Sequence, residues 1–474
     1  MRNRFRLIMA VVLLSSFWTV VPAQAANSDA FTFFIPYRAE ELGALFDAAH
    51  TDNLVDDDLI YVISISVQRD GEIIYYDHWE DGYEPNITDP VQPSTEMIPG
   101  NAGDVFTFRD TVVLPRPIPP PPPYDHDGGD KIAATGGAIA VSLTAWPDTP
   151  SSLFAGAWEL YPTGRWGINY VSPLGQNLQR PPVPPPPPPL RGNSFGIVTL
   201  NVQAIDDGTT VTLDLDGPGG AAPFQVTLDE GQQYNSIVDR PPNGRGIATN
   251  VGAQVTSSQP VQVQLFTGDP TQINGYEARA YSLVPRGQWQ GSYLAPRGSD
   301  TDFWLYNPNG SPLSVTAQLV GGGPPVPVNI PAGTTVQYIP DPMNSALETG
   351  VLFTSSGAGN FYGVAAVDRS PARDYADRDW GYTLQPIANL TAQALVGWAP
   401  GNNQVPPISW NPPPPENPAL GREASRVYVT AAAATTIRDL CEISICILPP
   451  KFELRERKLL LRIVDPSSAE NHQE

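Results

Sequence analysis

From residue 75 to residue 89 the chain reads YYDHWEDGYEPNITD, which places Asp77, His78, Glu80, Asp81 and Glu84 close together beside Trp79 and Tyr83. Carboxyl groups and an imidazole are the material of general acid–base chemistry, and paired carboxyls beside aromatic rings also suit sugar binding or glycoside cleavage. The competing reading is structural, with Trp79 and Tyr83 packed and the carboxylates accepting hydrogen bonds from turn N–H groups. No G-x-S-x-G or H-E-x-x-H pattern accompanies the stretch. His78, Trp79, Glu80 and Asp81 therefore stand as a candidate ligand-binding set, and no catalytic set is assigned.

A second cluster, YDHDGGDKI at 124–132, sets Asp125, Asp127 and Asp130 around Gly128-Gly129. Hard oxygen ligands on a glycine loop suit Ca²⁺, although the closing bidentate Glu of a calcium loop is missing and Lys131 follows, so an ordinary Asp/Gly turn is the first reading and calcium the second. Calcium at Asp125, Asp127 and Asp130 is the one cofactor the sequence suggests. Four His in the whole chain leave little material for a zinc site. The acidic run Asp56-Asp57-Asp58 reads as a solvated loop. Trp166 and Trp289 fall at equivalent points of a repeat, which fits packing better than stacking on a sugar.

Elements that could position such residues are strands rather than helices. Of 474 residues 54 are Pro and 41 are Gly, which excludes a chain dominated by long helices, while 41% apolar content is enough for packed cores. Acidic residues outnumber basic ones 49 to 27, for a formal charge of −22, which argues against nucleic acid and anionic membranes as partners. Arg2, Arg4 and Arg6, an apolar run from Leu7 to Val21 and Ala23-Gln24-Ala25 together describe a cleavable secretory signal over 1–25. No later stretch is long and apolar enough to span a membrane, so the expected location is secreted or at the cell surface. With two cysteines only, Cys441 and Cys446, the chain relies on apolar burial rather than on disulfides.

A strand, an Asp-Gly or Asn-Gly pair and another strand recur at 63–76, 199–215 and 303–319, which predicts three hairpins turning at Asp70-Gly71, Asp207-Gly208 and Asn309-Gly310. Thr135, Thr256 and Thr354 lie 121 and 98 residues apart, and Pro162, Pro285 and Pro386 lie 123 and 101 apart. Two anchors with nearly the same periods indicate repetition. Alternation such as Val261, Val263 and Leu265 against Gln262 and Gln264 predicts antiparallel strands with one face buried. The expected fold is all-β: tandem antiparallel sandwich-like modules over 30–175, 191–298 and 299–401, with radially arranged, propeller-like sheets as the alternative. A proline-rich linker over 402–425 follows, then a broken fourth module and an atypical tail over 426–474, where the sequence after about residue 437 suggests a lost reading frame. A short amphipathic helix over 451–464 is the competing view of that tail. RAEELGALFDAAH at 38–50 is the one other helical signal, a short surface helix at most, and the proline runs at 115–124, 181–190 and 411–418 read as spacers or projecting loops.

YYDHWEDGYE, YDHDGGDKI, Ala145-Trp146-Pro147 and WGINYVSPLG resemble large exported bacterial and fungal surface proteins. The repeat grammar of TTVTLDL, VTSSQPVQVQLF and a closing L-x-P-x-x-x-W resembles the N-terminal region of IgGFc-binding-type proteins. The resemblance implies a noncatalytic extracellular β-repeat protein with a structural, adhesive or binding role and an extracellular protein or glycan as partner. The alternative function is a carbohydrate-binding protein or a glycoside-active enzyme that uses the 77–84 cluster.

Overall fold

The computed structural model describes residues 31–49, 59–112, 125–137, 139–147, 156–178, 195–237, 248–268, 278–296, 301–320, 322–340, 350–357, 359–367, 380–390, 393–396, 436–439 and 459–464. The signal segment, the three proline runs, the linker, the Asp56–Asp58 run and both cysteines lie outside these residues.

The first group of strands is β1 (Phe33–Phe34), β2 (Leu59–Val67), β3 (Glu72–Asp77), β4 (Glu96–Gly100), β5 (Val105–Val112), β6 (Lys131–Ala134), β7 (Ile139–Pro147) and β8 (Gly156–Glu159). They form two antiparallel four-stranded sheets, ordered β1-β6-β3-β4 and β5-β2-β7-β8. The inward residues of both, among them Ile63, Ile65, Ile74, Tyr76, Ile132 and Leu143, make one buried core. Helix α1 (Ala39–Ala49) lies between β1 and β2. Its Leu42, Leu45 and Phe46 join that core, and Glu40 and Glu41 favour its first turn through the helix dipole.

The next strands are β9 (Gly167–Val171), β10 (Ile197–Ala204), β11 (Thr209–Asp214), β12 (Phe224–Leu228), β13 (Gln233–Asn235), β14 (Gln254–Gly268) and β15 (Ala278–Ser282). After them come β16 (Ser292–Ala295), β17 (Thr301–Tyr306), β18 (Leu313–Leu319), β19 (Val326–Ile330), β20 (Thr335–Tyr338), β21 (Val351–Ser355), β22 (Tyr362–Val367) and β23 (Trp380–Thr383). The last group repeats the pairing of the first, in two sheets ordered β16-β21-β18-β19 and β20-β17-β22-β23. The middle group has the same plan with one fusion. The first part of β14 pairs with β9 and β11, and its second part pairs with β10 and β15, so one 15-residue strand crosses both sheets and joins them into a seven-stranded, nearly closed sheet. In the last group the chain breaks at the corresponding point, where Gly357 adopts φ 104° between β21 and β22.

The expectation of three hairpins is corrected by this pairing. β2 and β3 belong to facing sheets, as do β17 and β18, and β10 does not pair with β11. Gly71 (φ 74°) and Gly208 (φ 65°) provide the left-handed turns that Asp-Gly promised, but the turn carries the chain across the core. Both edges of β2 are taken by longer ladders to β5 and β7, which leaves none for β3.

The connections between groups are also repeated. Pro162, Pro285 and Pro386, each extended at φ near that of its ring, precede one-turn 3-10 segments at Thr163–Arg165, Arg286–Gln288 and Ile387–Asn389. In the first two, Trp166 and Trp289 donate Nε1–H to the carbonyls of Tyr161 and Val284, both at 2.9 Å. Four residues on, Tyr170 and Tyr293 accept hydrogen bonds from the N–H groups of Gly167 and Gln290 and donate to the carbonyls of Val261 (2.6 Å) and Phe361 (2.7 Å). The closing phrase of one group thus supplies the first strand of the next. Trp158, Trp166, Trp289 and Trp304 are buried.

The groups stack. The outward face of β10 and β14 carries Asn201, Gln203, Gln262 and Gln264, which the alternation assigns to solvent, yet all are buried. Gln203 donates to the carbonyl of Ile35 (3.1 Å), Gln262 to that of Phe34 (3.0 Å), and Gln233 accepts from the Tyr37 N–H (2.6 Å). The same face of the last group, with Trp304, Tyr306, Tyr362 and Val364, packs into the middle core. Past these groups, β24 (Gln393–Val396), β25 (Thr436–Asp439) and β26 (Leu459–Val464) form a three-stranded sheet ordered β24-β26-β25. Residues 459–464 are thus a strand, which corrects the alternative of a helix over 451–464.

Candidate functional site

The YYDHWEDGYE stretch begins on β3 and leaves it at the open end of the first pair of sheets. Tyr76 pairs with Glu96 across β3 and β4, and Asp77 pairs with Lys131 across β3 and β6. Tyr76, His78 and Glu96 therefore share one face of their sheet, the face that meets Phe108 of β5. Both imidazoles of the region are gathered there. His78 Nε2 lies 3.3 Å and His126 Nε2 3.0 Å from the same oxygen, Glu96 Oε1. His126 is stacked on Phe108 with ring centroids 4.3 Å apart, and Tyr76 stands edge-on to His126 at 4.9 Å. The Tyr61 hydroxyl donates to the His126 carbonyl at 2.6 Å and fixes that backbone. Burial lowers the His126 imidazole from its usual value, and Glu96 acts in the opposite direction.

Trp79, Glu80 and Asp81 form a one-turn 3-10 segment, with Glu80 and Asp81 exposed. Trp79 is gripped from several sides. Its Nε1–H donates to Asp127 Oδ1 (2.9 Å), its backbone N–H to Asp130 Oδ1 (3.3 Å), and the Arg38 guanidinium lies 3.8 Å from its ring centre. Gly128 and Gly129 are needed beneath it. A Cβ on Gly128 would fall 2.0 Å from the Tyr37 carbonyl carbon, and one on Gly129 would fall 2.9 Å from the Trp79 ring, at φ 109°.

The acidic residues mostly organise backbone. Asp77 accepts from the Glu84 N–H (2.9 Å) and the Thr95 hydroxyl (3.2 Å), while Glu84 accepts from the N–H groups of Val91 (2.7 Å) and Gln92. Together they tie down the loop between β3 and β4. Asp127 Oδ2 accepts from the Ala39 N–H (3.2 Å), and Asp130 Oδ2 accepts from the Tyr76 hydroxyl and the Asp127 N–H, each at 2.8 Å. Burial pushes the Asp127 carboxyl up to about 7, and burial followed by the neighbouring Asp127 charge raises Asp130 well above the carboxylate range. Asp125 is exposed while Asp127 and Asp130 are buried, so a calcium cage here would have to displace these internal hydrogen bonds.

The stretch also reaches the second group of strands. Tyr83 donates to the Gly129 carbonyl (2.5 Å), packs edge-on against Phe34 and lies against Gly231, where a Cβ would meet its hydroxyl. Lys131, beside Phe34 and Tyr83, pairs with Glu230 at 2.7 Å.

Of the candidate set, the structure brings His78 together with Glu96 and His126, packs Trp79, and leaves Glu80 and Asp81 at the surface. Glu96 and His126 were missed by sequence reasoning. A usable signal existed, because Tyr-Asp-His occurs twice, at 76–78 and 124–126, and the chain has only four His.

Among the described residues no helix is long and apolar enough to cross a membrane. No curated protein and no solved structure matches the chain. Residues 156–365 match the family model described as IgGFc binding protein. That match starts at β8, takes in the whole middle group and ends within β22, so the cluster around His78 lies outside it and the stacked repeats of β9–β22 carry the likeness.

Proposed function

We infer that this is an exported, noncatalytic binding protein whose stacked β units hold loops and sheet edges toward an extracellular protein partner. The observation that carries the reading is the match of residues 156–365 to the IgGFc binding family, because those residues hold the middle repeat and most of the last one. The middle and last units each give their β10- or β17-type face to the unit before them, so stacking uses sheet faces and leaves connections and outer edges for recognition, as is usual where loops ride on a rigid scaffold. The boundaries of the modules follow the repeated connectors at Pro162, Pro285 and Pro386. Cleavage after Ala25 and a place outside the cell, secreted or at its surface, belong to the same reading. The Asp77 and Glu84 carboxyls brace the 78–95 loop, which weighs against a glycosidase built on that cluster.

The test is direct binding of the full secreted chain to immobilised immunoglobulin G Fc, with the Fab fragment as control. Saturable binding to Fc alone supports the reading. A folded chain that ignores Fc and hydrolyses glycosides, with the activity lost in Glu80→Gln, overturns it.

A further inference from the structure

We propose that His78, Glu96 and His126 form a site for a divalent transition-metal ion of the zinc class, at the open end of the first sandwich. Three segments distant in sequence contribute one ligand atom each, and the three atoms lie within 4.8 Å of one another. The two imidazole-to-carboxylate separations, 3.3 and 3.0 Å, are close to the edge of a tetrahedron with bonds of about 2.0–2.1 Å, which is about 3.3 Å. Ions of this class take two imidazoles and a carboxylate and keep a fourth position for water or an incoming ligand. Calcium and magnesium prefer all-oxygen shells, so the donor set selects against them.

The surroundings suit a metal. The rings are fixed before any ion arrives, by Phe108 stacked on His126 and by Tyr76 packed against both imidazoles at 4.9 and 5.1 Å. Behind His78, its Nδ1 faces the buried Asp130 Oδ2 at 3.9 Å. A metal on Nε2 places the ring proton on Nδ1, on the side of Asp130, the position an outer acceptor takes behind a ligating histidine, here 3.9 Å away and outside hydrogen-bond contact. Access is open as well, since the Glu96 side chain is 41% exposed and His126 24%. An ion here would tie the loop after β3, the start of β4 and the segment before β6 into one unit.

The experiment uses the full chain, stripped with chelator and titrated with Zn²⁺ alone, with excess Ca²⁺ as competitor. One zinc per chain is expected, undiminished by calcium. His78→Gln and His126→Gln should each weaken binding by about 100-fold or more, given that even partners behind a ligand are worth about 10- to 100-fold. His50→Ala and His472→Ala should leave it unchanged. If the Gln variants do not fold, Co²⁺ added to the unaltered chain decides, because a four-coordinate site gives intense visible ligand-field bands that zinc then bleaches. No zinc uptake at micromolar concentrations, binding that survives both Gln substitutions, or weak six-coordinate cobalt bands would each overturn the proposal.

Discussion

Trp79 shows how much of the first sandwich hangs on a few contacts at its open end. Its indole N–H, its backbone N–H and its ring face are each held by a different residue, and the glycine pair beneath it lets the backbone of 127–130 approach Tyr37. Gly128→Ala should destabilise strongly, by at least the ~1–3 kcal/mol typical of overpacking, because its Cβ meets main chain that cannot move aside. Gly208→Ala, at φ 65° with open space around it, should cost only the ~1–2 kcal/mol of a left-handed alanine. Urea unfolding of both variants checks the order; equal losses would contradict it. At this scale the sequence exposed the acidic and aromatic clusters and their bracing role, but not the partners they hold. The reading of these carboxylates as acceptors of turn N–H groups holds for Asp77 and Glu84, but spacing along a chain cannot reveal which N–H groups, several residues further on, they engage. Glu96 was invisible because its only link to His78 is the β3–β4 register.

Strand types were the most legible feature. The period-two pattern at 209–215 and 313–319 reappears as alternating burial in β11 and β18, and the helical signal at 38–50 as α1. Pairing was not legible, since Asp-Gly specifies a turn and not the sheet in which the next strand lands. The glutamine face of β10 and β14 was misread for a related reason: alternation marks the polar face, and only tertiary stacking decides whether that face meets water. The repeated connector gives two predictions. Tyr293→Phe removes a hydroxyl that both accepts from Gln290 and donates to Phe361, and should cost ~1–3 kcal/mol for the buried groups left unpaired, with Tyr170→Phe alike. Thermal unfolding of the two variants measures this, and a neutral result for both would remove the connector from the account. Burial also raises the phenols of Tyr170, Tyr293 and Tyr362 above the usual tyrosine range. The unfolded chain releases those protons near pH 10 and the native chain does not, so the native state binds more protons there. Stability should therefore fall as pH rises past about 10, by about 1.4 kcal/mol per pH unit for each such phenol. Tyrosinate absorbance and near-ultraviolet dichroism followed together should show these phenols ionising only as the fold is lost; their titration within an intact fold would contradict the burial.

Across the whole molecule, one strand plan is used three times, with two strands fused into one in the middle copy, and the second and third copies bury the same face against the copy before them. The middle copy does so through a layer of amides and the last through aromatics, which explains why the repeats are imperfect in sequence and alike in topology. Two contacts near the YYDHWEDGYE stretch, Tyr83 against Gly231 and Lys131 with Glu230, fasten the first copy to the second. The chain has three lysines, Lys131, Lys451 and Lys458, which makes this fastening unusually easy to read. Zero-length carbodiimide cross-linking of the unaltered chain, followed by peptide mass spectrometry, tests the stacked arrangement most directly. The account predicts an amide bond between Lys131 and Glu230. Lys131 recovered unlinked but chemically reactive, or joined to an acid remote from Glu230, would contradict it.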